Sequence, residues 1–208
     1  GAYADRIFRN NDATHAFSIS AYSDGSGVDH GLVIANGTGS SNDAMLPTST
    51  VDLFDGRWHH VVAVRNTGGS VRGLGDVSLV VDGVDYTSQL VDSASGWGNT
   101  GSTAWIGTRD LDNVGNFAGT SDEVAVWVGQ KLTVSEAQDI YNAARTPDSL
   151  PGYAQAVLAS NPIAYYRFNE PAGLTAGETV VNWANQGTTS TNVLGEASAG
   201  TDEDYPET

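Results

Sequence analysis

The sequence predicts an all-β protein: a β-sandwich with one short helix at the end of its body and a strand-bearing extension behind it. Three observations carry this. Asp55-Gly56 is a turn that feeds an apolar run from Trp58 to Val64. Val77 to Tyr86 is a second apolar run broken at Asp82-Gly83, a dipeptide suited to the positive φ angles of a tight hairpin. Finally, 25 glycines with 39% hydrophobic residues suit a turn-rich sandwich rather than a helical bundle.

The remaining elements follow in order. Arg6–Arg9, Ala16–Tyr22 and Gly31–Ala35 are short, β-rich and bounded by Gly, Asn, Asp or Ser, and each predicts a strand. In the second, Phe17, Ile19 and Ala21 alternate with Ser18, Ser20 and Tyr22, which implies one buried and one wetter face. Gly37 to Pro47 reads as a loop. Along the Trp58–Val64 strand, apolar residues fall on both faces, so the strand should be covered on both sides. Trp58 belongs to its core, and His59 and His60 point apart, unable to share one metal ion. Thr103–Gly107 and Phe117–Val128 are further strands, the latter with Val124, Val126 and Val128 on one face. Thr133-x-x-Glu136 is a capping box opening a helix with an apolar stripe of Val134, Ala137, Ile140, Tyr141 and Ala144. Thr146 to Gly152 reads as a proline-bearing linker, Tyr153–Ala159 as a short helix, and Ile163–Glu170 as a strand. The tail from Glu178 reads as loop or extended linker.

Composition narrows the function classes. The formal charge of −16 and the single lysine, Lys131, argue against nucleic acid or an anionic membrane as partner. The absence of cysteine excludes a disulfide framework and any thiol chemistry. No apolar run is long enough for a membrane-spanning helix. Gly1 reads as the start of a processed chain or an excised fragment.

The blocks Trp58-His-His-Val-Val-Ala-Val64, Val81-Asp-Gly83 and Asp122-Glu-Val124, in that order and followed by the capped helix, resemble the laminin-G-like modules of the concanavalin A-like jelly-roll family. The resemblance implies a jelly-roll body over residues 1–145, a linker over 146–152, and an extension over 153–208. The extension's Pro162-Ile-Ala-Tyr-Tyr-Arg-Phe-Asn-Glu170 is similar to the opening strand of such a module. The body's own opening strand is missing, which would leave unpaired backbone groups beside an uncovered core. Ile163, Tyr165, Tyr166 and Phe168 are the expected fillers. The strand could close its own body, insert into the next copy to build a head-to-tail fibre, or mark a fragment of a tandem array. The second is the favoured expectation, making copies of the chain its main partner.

The resemblance also implies a structural calcium ion held by Glu170 and Asp122, with Glu123 or Asn182 in addition. Catalysis is not expected. The Glu-x-Asp-x-Glu triplet of the related glucanases is absent, and Asp122 and Glu123 are adjacent, so a regular strand would point them to opposite faces. For glycans, which stack on exposed aromatic rings, Trp97 in a polar loop is the leading candidate, followed by Tyr86 and Tyr22. The expected function is an extracellular or bacterial cell-surface structural and adhesion module that assembles head to tail. The alternative is a calcium-dependent carbohydrate-binding module.

Overall fold

A computed structural model describes residues 3–11, 16–23, 29–36, 43–65, 77–93, 104–108, 116–145, 150–169, 179–185 and 191–193. Six strands form the larger sheet: β1 (Tyr3–Asn11), β2 (Ala16–Ser23), β3 (Asp29–Asn36), β4 (Asp43–Pro47), β8 (Val91–Ser93) and β9 (Ala104–Ile106). Their spatial order is β8-β4-β3-β2-β1-β9, and every neighbouring pair is antiparallel. A smaller sheet contains β5 (Val61–Arg65), β6 (Val77–Val81) and β7 (Val84–Asp85) in that order. Two further antiparallel pairs join β10 (Val124–Val126) to β11 (Ala164–Tyr166), and β12 (Thr179–Val181) to β13 (Thr191–Val193).

The smaller sheet separates two cores, as its sequence pattern requires. Successive strand residues point to opposite faces. On one side Val77, Leu79 and Val81 of β6 meet Leu32, Ile34 and Leu46 of the larger sheet. On the other side Val62 of β5 and Val80 of β6 meet Leu132, two helices and Tyr165. The apolar residues on both faces of the 58–64 run are thus explained for β5. Each fully buried Val or Leu contributes roughly 1.5–3 kcal/mol, so both layers stabilise the sandwich.

The helices are α1 (Val134–Ala144) and α2 (Leu150–Ala159), which pack against each other. The predicted capping box is present: the Glu136 N–H donates to Thr133 Oγ1 at 3.2 Å, and the Thr133 N–H donates to Glu136 Oε2 at 2.7 Å. Of the predicted stripe, Ala137 and Ile140 are buried, Val134 and Tyr141 are half-buried, and Ala144 lies at the exposed edge. Gly83 shows why α1 can sit down on the hairpin. A β-carbon there would lie 2.4 Å from the Tyr141 ring, and Gln138 Nε2 donates to the Gly83 carbonyl at 2.9 Å.

Several expectations are corrected. Trp58, expected in a strand core, is 67% exposed, because the strand begins only at Val61. The stretch read as a loop before Pro47 contains β4. The serine face of β2 is not wet. Ser18 and Ser20 are fully buried beside Arg9 and Arg6 of β1, and Arg6 Nη1 donates to Ser20 Oγ at 2.6 Å. Helix α2 starts at Leu150, inside the proposed linker, since Pro151 falls in a first turn, where its missing N–H costs nothing. The tail read as loop carries β12 and β13.

Candidate functional site

Two places concentrate polar side chains among the described residues. The first is the seam between β10 and β11, where Val124, Ala125 and Val126 pair with Tyr166, Tyr165 and Ala164. The expected filler strand thus pairs with β10 of the same chain, and it is shorter than the predicted 163–170. Tyr165 is fully buried, Ile163 is half exposed, and Tyr166 stacks on Phe168 with ring centroids 6.2 Å apart.

Side chains latch this seam from both sides. Glu123, in a left-handed conformation with φ 53°, accepts a short hydrogen bond from the Tyr165 hydroxyl and an ion pair from Arg167 Nε at 3.1 Å. Burial, then the Glu123 contact, raises the Tyr165 pKa and keeps the hydroxyl protonated as a donor. Arg167 also lies over the Trp183 ring, 5.1 Å from its centroid. Buried Asn182 accepts from the Tyr165 N–H at 2.9 Å and from the Ala184 N–H at 3.1 Å. Trp127 Nε1 reaches Ser160 Oγ at 3.1 Å, and Gln130 Nε2 donates to the Ser160 and Asn161 carbonyls at 2.7 and 2.8 Å.

These contacts bear on the expected calcium ligands. Both carboxylate oxygens of Glu123 face an arginine or a phenol, and Asn182 Oδ1 already serves two backbone donors. As seated, these two do not fit an oxygen shell for a divalent cation, which a guanidinium at 3.1 Å would repel. Asp122 is exposed, its Oδ1 accepting from the Glu123 N–H at 2.8 Å, and Glu170 lies outside the described residues. No group of three or more His, Cys, Asp or Glu that could hold a metal occurs among the described residues.

The second place is a clip around His59. Asp82 and Gly83 both have positive φ, 50° and 77°, the tight turn expected of their sequence. Asp82 Oδ1 accepts from the His60 N–H at 2.8 Å, and its Oδ2 contacts His59 Nδ1 at 2.8 Å. His59 Nε2 contacts Asp55 Oδ1 at 3.1 Å. A ring with a carboxylate at each nitrogen is satisfied only when both nitrogens carry protons. Burial disfavours that cation, but the bonds to Asp82 and Asp55 outweigh burial and raise the His59 pKa. Asp55 also binds Arg57, through its N–H at 2.9 Å and Nε at 2.6 Å. Arg57, then His59, lowers the Asp55 pKa to about 2. His60 points the other way, as expected, between the Tyr141 and Tyr153 rings at 5.7 and 6.1 Å. There burial lowers its pKa.

The clip leaves Trp58 and Arg57 standing out between Asp55 and His59, a feature that strand periodicity concealed. Of the expected glycan residues, Tyr86 packs against the first core, Tyr22 is half-buried in β2, and Trp97 lies outside the described residues. A shallow cleft of about 240 Å³ beside α1, lined by residues including Val64, Val80 and Leu132, has Lys131 as its one titratable lining group.

A family profile described as the concanavalin A-like lectin/glucanases superfamily (Laminin_G_3) matches residues 1–138. The chain belongs to that superfamily. Its fold agrees, mostly β-sheet with two helices among the described residues. No curated protein and no solved structure matches the chain. The superfamily includes glucanases, but its laminin-G-like members are typically binding modules, so the match supports a lectin-like or adhesion-type module in general terms and leaves the ligand to be argued from the site. The profile ends within α1, and the strand that closes β10 comes from beyond it.

Proposed function

We propose that this chain is a non-catalytic binding and adhesion module that works outside the cell, its sandwich completed by its own C-terminal strand. The observation that supports this most is the latched seam. Glu123, in the Asp122-Glu-Val124 block, is spent on Tyr165 and Arg167 rather than held as a general acid or base. Asp55 and Asp82 are likewise spent on His59. The acidic composition suits a solvated surface rather than a polyanionic partner.

The test is light scattering and circular dichroism on the full chain and on a version ending at Arg145. A compact full-length monomer, with a truncated version that unfolds or aggregates, supports closure in cis. Large or filamentous full-length species would mean that copies exchange β11 and make the same seam head to tail. A truncated version that stays folded and monomeric would overturn the role given to the seam.

A further inference from the structure

We infer that the open edge of β5, with Trp58 at its head, docks an extended peptide strand of a partner protein, β-branched in its middle and basic at its ends. The inference rests on the binding-module reading above and adds to it a partner class and the residues that receive it.

The hydrogen bonds of β6 show which way the backbone of β5 faces. Leu79 lies opposite Ala63, yet its N–H donates to Thr87 Oγ1 at 3.1 Å and its carbonyl accepts from the Tyr86 N–H at 2.9 Å, both on the β7 side. In an antiparallel ladder such a pair exchanges no backbone bonds, so the N–H and carbonyl of Ala63 point away from β6. Those of Val61, two residues earlier, point the same way. Among the described residues nothing hydrogen-bonds to these groups, and both residues are half-buried. Length and composition set this edge apart. Strands β7, β8, β9 and β10, also edges among the described residues, are two or three residues long. Short edges are a common protection against unwanted pairing. Strand β5 has five residues, all Val or Ala before the charge at Arg65, and its side chains reach the cores on both faces. It is composed as an interior strand and has one neighbour.

Backbone geometry and charge choose the occupant. Outward donors and acceptors at alternate residues are met in full by another strand, which adds its own backbone bonds in register. Val61 and Ala63 border the first core, and Val62 and Val64 the second. An added strand therefore meets apolar rims above and below, which suits β-branched side chains. Trp58 stands three residues before Val61, roughly 10 Å of extended chain away. At 67% exposure its ring is open to the flank of a strand laid along the edge, and tryptophan is a frequent anchor of protein interfaces. The formal charge of −16 opposes an acidic segment and a second copy of the chain alike, and it steers in a basic segment.

The experiment is fluorescence anisotropy of the labelled peptide KKVTVTVKK titrated with the full chain, which is expected to bind it. The acidic counterpart EEVTVTVEE, and a copy N-methylated at every Val and Thr, should each bind at least about tenfold more weakly. Ala63→Pro removes the outward N–H without touching a β5–β6 bond and should weaken binding by a similar factor. Ala63→Ser keeps that N–H and should bind as the wild type does. Trp58→Ala should also weaken binding, with a melting curve that overlays the wild type, as expected for an exposed substitution. The N-methylated peptide is read on the wild-type chain, so the comparison holds even where Ala63→Pro unfolds. No binding of KKVTVTVKK, equal binding of its N-methylated or acidic form, or full binding by folded Ala63→Pro or Trp58→Ala would each overturn the inference. Wild-type self-association abolished by Ala63→Pro would overturn it in favour of a second copy. Each of these outcomes leaves the seam reading intact, which the truncation above tests separately.

Discussion

Replacing Asn182 by alanine isolates the seam with little loss of apolar area. The amide oxygen serves the Tyr165 N–H inside a fully buried residue and the Ala184 N–H nearer the surface. Without it, the Tyr165 donor is left where water does not reach, at a cost of about 1–3 kcal/mol. The Ala184 donor regains part of its hydration and adds roughly 1 kcal/mol. The total is on the order of 2–4 kcal/mol. With a urea m-value of about 2 kcal/mol/M, the midpoint should fall by roughly 1–2 M. Val181→Ala, at an exposed neighbouring position, should stay within about 0.5 kcal/mol of wild type. Urea unfolding followed by tryptophan fluorescence reads both, and amide exchange at Tyr165 shows whether the seam opens alone. A midpoint for Asn182→Ala indistinguishable from that of Val181→Ala would refute the claim that this side chain holds β11 in place.

Other outcomes follow from the same geometry. The two histidines should bend the pH profile in opposite directions. The His59 pKa is raised on folding, so its stabilisation is complete below the unfolded value of 6.5 and is lost as pH rises through the folded value. The His60 pKa is lowered, so its contribution is complete above 6.5 and is lost as pH falls through the folded value. Melting temperature should therefore peak near pH 6.5, with His59→Gln flattening the alkaline limb and His60→Gln the acid one; parallel profiles would contradict both assignments. A cycle of Tyr165→Phe with Glu123→Gln should reveal coupling of about 1–3 kcal/mol in urea unfolding, and additivity would deny the latch. Thr133→Ala should cost about 1 kcal/mol through loss of the α1 cap, read in the same assay. Calcium or EDTA should leave the melting temperature unchanged, because Glu123 and Asn182 are already engaged. A rise with calcium would assign the ion to Asp122 together with residues such as Glu170.

The elements that sequence reading located share one property, a local cause. Asp82-Gly83 turns because those two residues tolerate positive φ, and α1 starts at Thr133 because hydroxyl and carboxylate cap it. The two-sided burial of β5 followed from apolar residues at both parities. What escaped was set by tertiary contact. Trp58 continues the period-2 pattern of β5 but lies in a segment drawn off the sheet by His59 and Asp82. Ser18 and Ser20 look like solvent-facing residues until Arg6 and Arg9 bury with them. Asn182 could be matched to a calcium ligand in sequence, whereas its role as a backbone acceptor exists only once β11 is beside it.

The direction in which β10 and β11 meet has a mechanical consequence under load. Val124 enters β10 from the N-terminal side, Tyr166 leaves β11 on the C-terminal side, and the two are partners at the same end of the ladder. Tension applied across the chain would peel this pair open like a zip, one rung at a time, instead of shearing all rungs together. Releasing residues 125–165 would pay out on the order of 140 Å of extra length. A pulling experiment should show an early, low-force lengthening of that size while the larger sheet holds.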